Sequence, residues 1–306
     1  MSRFGRFTIF TTFATYFLIF MGGLVRVSGA GLGCPDWPKC FGRWIPPVSL
    51  NQIPAYMDPG TFNMTLAWIE YINRLFGVTI GLLIVVVAIW AIARYRSHPR
   101  ILIPALIAPI LTAYQGWQGS QVVSSGLEPI IVSAHMVIAL IIAGLMIYIS
   151  IQAYYLSRAS TGSEYAKGAG LHAGVLLGAA LVQIVLGTQL REAIEITSST
   201  FPLLSSAEVL MRSGVLTYIH ASVGIIIFIL ALVTSHKLLV RSPSPLVWQT
   251  SWTMAGLAIL QVVFGIVLFL AGIPPVARVL HMWISALLFG VILISFFAPG
   301  RERRTA

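Results

Sequence analysis

Three of the six histidines, His135, His220 and His281, stand inside apolar runs, each a short way past a stretch of turn residues. An imidazole without a partner is costly in such surroundings, so each needs a reason to be there. Along a helix, His135 comes roughly 9 Å after Pro129 and His281 roughly 9 Å after Pro275, which puts both at one depth. His220 and His281, carried by opposing helices, can face one another across a bundle core. Two imidazoles so placed are the usual axial grip on a haem iron. The competing reading is a pair of buried rings hydrogen-bonded to neighbours or lining a polar pathway. His98 and His236 lie among basic residues and read as solvated, and His172 lies towards the opposite end from the other three.

A second constellation is the segment LAWIEYINRLFG, residues 66–77, where Glu70, Asn73 and Arg74 open an otherwise apolar helix. Glu70 and Asn73 share nearly one face. A carboxylate beside a cofactor reads as an acid/base group, and its alternative is a structural glutamate paired with Arg74. Arg26, Arg74, Arg191 and Arg278 fall near helix ends on the same side as the histidines. They suit either the propionates of a haem or interface anchoring. Cys34 and Cys40, the only cysteines, bracket PDWPK. That spacing lacks the further ligands of a zinc site, and an oxidising compartment would permit a disulfide that staples the loop; a redox or cofactor-handling role is the sharper alternative.

The elements that must position these groups are membrane helices. The 306-residue chain is 58% hydrophobic and 9% charged, with mean hydropathy +0.90, which excludes an ordinary soluble domain. Apolar runs over 6–26, 66–93, 100–122, 129–157, 167–190, 214–236, 247–271 and 275–298 are each long enough to cross about 30 Å of hydrocarbon. The first is read as a retained span, not a cleaved signal, so the mature chain is expected to start at Met1. The net charge of +10 is split by side instead of forming a stripe for nucleic acid. Arg3, Arg6, Arg94, Arg96, Arg100, Arg158, Lys167, Lys237, Arg241, Arg301, Arg303 and Arg304 fall on one side, with Glu164 and Glu302. Asp36, Asp58, Glu128, Glu192, Glu195 and Glu208 fall on the other. The positive-inside rule makes the first side, with both termini, cytoplasmic. The cysteine loop and the histidines then face outward.

Slid along itself, the chain pairs Gln115 with Gln261, Gly119 with Gly265, Gly126 with Gly272, Pro129 with Pro275 and His135 with His281. YINRLFG likewise overlays YIHASVG, so that Asn73 falls on His220, and Gly22 and Arg26 fall on Gly187 and Arg191. The expectation is an all-α integral membrane protein of eight transmembrane helices in two tandem four-helix bundles, 1–160 and 161–306. An even helix count relates them by a pseudo-two-fold axis along the membrane normal. The amide at Asn73 is a poor iron ligand, so one axial position is open in the first half.

These residues resemble haem A synthase, the membrane enzyme that makes haem A from haem O. The resemblance rests on eight spans in duplicated halves, GGLVRVSGAGLGCPDWPKC after the first, EYINR on the second, and histidines opening the fourth, sixth and eighth. It implies that the N-terminal half holds the substrate haem, with His135, Asn73 and Glu70, and that His220 and His281 ligate a haem b for electron transfer. A methyl substituent of haem O becomes the formyl group of haem A through successive hydroxylations and loss of water, with Glu70 handling protons. The implied setting is a bacterial cell membrane. Haem O is the substrate, and haem O synthase or cytochrome oxidase assembly factors are candidate partners; the electron donor and homo-oligomerisation stay open. Two departures stand out. Asn73 replaces the histidine that usually follows the glutamate by three residues, and the loop REAIEITSSTFPLLSSAEVLMR lacks the cysteine pair of many relatives. Two other readings compete: a di-haem cytochrome b that only carries electrons, which leaves Glu70 unexplained, and a transporter built on parallel repeats, which would carry no haem.

Overall fold

The computed structural model of the chain describes residues 1–157, 169–241 and 245–298. The expected boundary at 160/161 lies outside the described residues, as do Arg158, Glu164, Lys167, Arg301, Glu302, Arg303 and Arg304. Among the described residues there are nine α-helices: α1 Arg3–Val27, α2 Met64–Arg94, α3 Pro99–Ser124, α4 Pro129–Leu156, α5 Ala169–Thr200, α6 Ser206–Arg212, α7 Val215–Arg241, α8 Pro245–Leu270 and α9 Pro275–Phe297. The only sheet-like pairing among them is an isolated bridge between Cys40 and Arg43.

Seven of these helices, all but α3 and α6, are long and apolar enough to cross a membrane. The chain is an integral membrane protein. Helix α3 has the length, at 26 residues, but Pro104, Pro109 and three glutamines lower its hydropathy. The short α6, opened by a capping box between Ser205 and Glu208, is not among the expected spans and shifts the numbering of later helices by one. Large apolar side chains such as Val78, Ile110, Ile225 and Leu270 are exposed, as suits helices solvated by lipid. Hydroxyls within the spans are satisfied locally: Thr11, Thr15, Thr112 and Ser251 each donate to the carbonyl four residues back, at 2.7–3.0 Å.

The helix ends are set by local chemistry. Proline opens α3, α4, α8 and α9, where its missing N–H costs nothing. The turns that deliver α4 and α9 are copies of one another. Gly126 and Leu127 both take positive φ, 65° and 70°, and so do Gly272 and Ile273, at 77° and 59°. In each, the second residue donates to the carbonyl five back, Leu127 to Val122 at 3.0 Å and Ile273 to Leu268 at 3.1 Å, which is the Schellman helix ending. A branched residue at positive φ is strained, and here the strain recurs at equal distances before His135 and His281.

The described residues form two compact units, Arg6–Ile149 and the combination of Met1–Gly5 with the described residues from Ser150 onward. In the first, Phe17 of α1 meets Phe76 of α2 edge to face at 5.4 Å, and α2 packs on α3. In the second, α5 packs on α7, α7 on α8, α8 on α9 and α9 back on α5, so four helices close a ring.

The connection after α1 is folded onto α2 at one point that admits only glycine. A Cβ on Gly33 would fall less than 3.0 Å from the backbone of Leu66 and Ala67. Gly33→Ala is therefore expected to destabilise the protein by about 1–3 kcal/mol, read as a lower melting temperature in detergent. An unchanged melting temperature would mean the contact is not tight.

Candidate functional site

In the unit Arg6–Ile149, the residues singled out on α2 converge on the cysteine loop. Cys34 and Cys40 form a disulfide with Cα atoms 4.7 Å apart, and with Phe41 and Ala67 they make a small buried core. Glu70 is 4% exposed. Its Oε2 accepts from the Cys34 N–H at 2.7 Å, and its Oε1 takes the Arg74 Nε at 3.1 Å together with Nη2. Arg74 continues inward: Nη1 donates to the carbonyls of Asp36 and Lys39 at 2.9 and 2.8 Å, and Nη2 to that of Cys34 at 3.4 Å. Asp36 closes the loop by accepting from the Phe41 and Gly42 N–H groups at 2.6 and 2.8 Å.

Glu70 and Arg74 are thus one ion pair that grips the loop backbone, and the disulfide adds to that grip without being its sole fastening. Both carboxylate oxygens are engaged, one by the Cys34 N–H and the other by the Arg74 guanidinium. Replacing Cys34 and Cys40 by Ser is expected to raise tryptic cleavage at the exposed Lys39 and Arg43 only modestly. Arg74→Leu should raise it far more, because it leaves a buried carboxylate without its cation. Equal cleavage in the two variants would show the disulfide to be the main tie.

Also in this unit, His135 of α4 lies against α3. Gln115 Nε2 donates to the His135 carbonyl at 2.9 Å, and a Cβ on Gly119 would meet the ring's Cε1 at 3.5 Å. Asn73 is partly buried and its Oδ1 is a buried atom without a hydrogen-bond partner. Arg26 closes the last turn of α1.

In the other unit, His220 of α7 and His281 of α9 face one another with ring centroids 6.3 Å apart. A metal–imidazole bond is about 2 Å, and the ring centre lies about 1 Å behind its nitrogen, so one iron between two rings asks for a separation near 6 Å. The pair fits. Gly187 of α5 and Gly265 of α8 make room for the rings, since a Cβ there would meet Cε1 of His220 at 3.1 Å and of His281 at 3.6 Å. The Nδ1 atoms of His135, His220 and His281 are all buried without a hydrogen-bond partner. Arg278 stands three residues before His281 with its Nε equally without a partner. Arg191 is ion-paired with Glu195 at 3.2 Å along α5. Elsewhere, His172 is 2.6 Å from Lys237 Nζ and His98 meets the Ser97 hydroxyl at 3.1 Å, both away from these rings in sequence and role. Among the described residues there is no group of three or more His, Cys, Asp or Glu side chains that could hold a metal ion.

The glutamines at 115, 183 and 261 were not singled out as site residues. The signal was present, since each stands four residues before the glycine that faces a histidine.

The chain matches the COX15-CtaA family, cytochrome oxidase assembly protein, over residues 5–293. It belongs to that family. Curated relatives carry the name heme A synthase. The one from Wolbachia sp. subsp. Brugia malayi is 24% identical over 309 residues, covering 89% of this chain and 90% of the relative. The one from Rickettsia rickettsii is 24% identical over 315 residues, covering 91% and 93%. With the one from Shewanella oneidensis the identity is 34% over 125 residues, 40% of this chain and 37% of the relative. Membership in the COX15-CtaA family spans both compact units, so the histidines of each are placed within the matched region.

Proposed function

We propose that this COX15-CtaA protein is a haem A synthase, an oxidoreductase that converts a methyl substituent of haem O to the formyl group of haem A by successive hydroxylations and loss of water. The observation that supports it first is similarity along nearly the whole chain to relatives bearing that name. The facing pair His220 and His281 adds physical support, since the ring spacing suits one iron held between them. A haem b bound there supplies one-electron transfer.

In this reading the residues divide by unit. His135 holds the substrate haem in the N-terminal half, 1–160, with Asn73 leaving the opposite side open. Glu70 handles a proton near the reacting edge while its ion pair with Arg74 keeps the cysteine loop seated above. His220 and His281 hold the haem b of the C-terminal half, 161–306. Of the four arginines considered for the propionates, Arg74 has its donors engaged by Glu70 and the loop carbonyls, which leaves that role to Arg26, Arg191 and Arg278, with Arg278 best placed beside His281. Helix α3 is the eighth span, each half is a four-helix bundle, both termini are cytoplasmic, and the haem sites face outward.

The test is expression in a host that makes haem O but not haem A, followed by extraction and separation of haem types. Haem A or its hydroxylated precursor is the expected result. Haem b alone, with haem O unchanged, would sink the synthase reading in favour of an electron carrier. Glu70→Gln then separates the two roles of that carboxylate. Retained haem with turnover stopped or stalled at an intermediate marks proton handling, loss of haem or loop order marks anchoring alone, and turnover at the parental rate removes Glu70 from the chemistry.

A further inference from the structure

Each of the three site histidines is met from the neighbouring helix by a glutamine amide. Gln115 Nε2 donates to the His135 carbonyl at 2.9 Å, Gln183 Nε2 to the His220 carbonyl at 2.8 Å, and Gln261 Nε2 touches the ring Nε2 of His281 at 3.1 Å. In all three, the glycine one turn further along the glutamine's helix lies against the same histidine ring.

The accounting of polar atoms is the same in each pair. The amide oxygens of Gln115, Gln183 and Gln261 are buried without a partner, and so are the Nδ1 atoms of His135, His220 and His281. A spare acceptor thus accompanies a spare ring nitrogen in each pair, although at His281 the nitrogen the amide touches is Nε2 and the spare one is Nδ1. At His220 the unsatisfied Nδ1 is on the side of α5, 3.7 Å from where a Gly187 Cβ would sit, and Gln183 is one turn before Gly187. At His281 the amide already touches the ring. Exchanging its N and O, which leaves its shape unchanged, turns that contact into a ring N–H donating to Oε1.

The chain holds its own control. In the α1–α2 pair, whose register is marked by Phe17 against Phe76, the repeat places Gly22 where Gly187 stands, Asn73 where His220 stands and Leu18 where Gln183 stands. A Cβ on Gly22 would meet nothing within 4 Å. Where the histidine is lost, the glutamine is lost with it. A glutamine needed only to tie one helix to the next would have no reason to follow the histidine.

We infer that Gln115, Gln183 and Gln261 are positioning residues for the three histidines: each holds its histidine from the next helix, and its amide oxygen accepts the ring N–H on its side, which leaves the ring's other nitrogen for iron. This rests on the haem-ligating role of the histidines. A partner on the far nitrogen fixes the tautomer and raises the basicity of the ligand, so the amide also sets the reduction potential of the iron it serves.

The test uses the full-length protein purified with its haem, comparing Gln183→Leu, Gln261→Leu, Gln183→Glu and Gln261→Glu with the parent by midpoint potential and ferric low-spin EPR g-values. The Leu variants, which copy the chain's own Leu18, are expected to raise the potential. The Glu variants are expected to lower it below the parent, because a carboxylate draws the ring proton more strongly. Parental potentials and g-values in both kinds of variant overturn the inference. Should the Leu variants lose haem, the Glu variants decide alone: a lowered potential supports the role, and a parental potential or loss of haem there refutes it. A parent that purifies without any haem would instead refute the functional reading itself.

Discussion

His281→Ala and His220→Ala each abolish the low-spin haem spectrum of the purified protein while the chain still inserts and folds. The expectation follows from rings 6.3 Å apart, which leaves space for one iron and no room for a substitute side chain to take over. Removing an outer partner of a ligand typically costs roughly 10–100-fold in affinity, and removing the ligand itself should cost more, so haem content should fall well below half at micromolar protein. Two measurements separate a ligand from a structural ring. The melting temperature of the variant, compared with the haem-stripped parent, should be little changed, and added imidazole should restore part of the low-spin spectrum by filling the vacated place. Full haem content with unchanged bands in either variant would show that the pair does not ligate iron.

The second large effect is at Asn73, where the expected result is a gain. Asn73→His puts an imidazole at the place that corresponds to His220, one turn beyond the buried Glu70 and on nearly the same face of α2. With haem O loaded, the iron of the N-terminal site should pass from a high-spin to a six-coordinate low-spin spectrum, and turnover should slow if the reaction needs the open position. The present occupant offers only an amide whose Oδ1 is buried without a hydrogen-bond partner. A spectrum that does not move on substitution would mean that position 73 does not look at the iron. Pairing the change with Leu18→Gln supplies the amide that the other three histidines have, and should make the conversion more complete.

Much of this was legible in the order of residues, because the bilayer imposes a simple code. A span must be apolar for about 20 residues, and a polar group inside one is costly, so Glu70, Asn73, Arg74 and the three histidines stand out in the sequence alone. The duplication was legible too, and the structure adds that the copied segments end α3 and α8 with the same strained turn. Helix α6, at seven residues, is too short to carry a span-length signal. Helix α3 has the length of a span, and its prolines and glutamines make it less apolar than the seven helices that are apolar enough to cross.

Sequence by itself determined the membrane character, the helical class, the internal repeat that sets Asn73 opposite His220, and the short list of polar residues buried in apolar runs. These follow from side-chain solubility and spacing along a helix, both local properties. Only the tertiary structure decided what those residues touch. It spent both oxygens of Glu70 on Arg74 and the Cys34 backbone, set His220 against His281, paired Arg191 with Glu195, and brought Gln115, Gln183 and Gln261 to the histidines. Partners such as Cys34 and Glu70 are 36 residues apart in sequence, and no local pattern states which of several buried polar groups will meet; that is settled when helices pack and each donor and acceptor must find an answer without water.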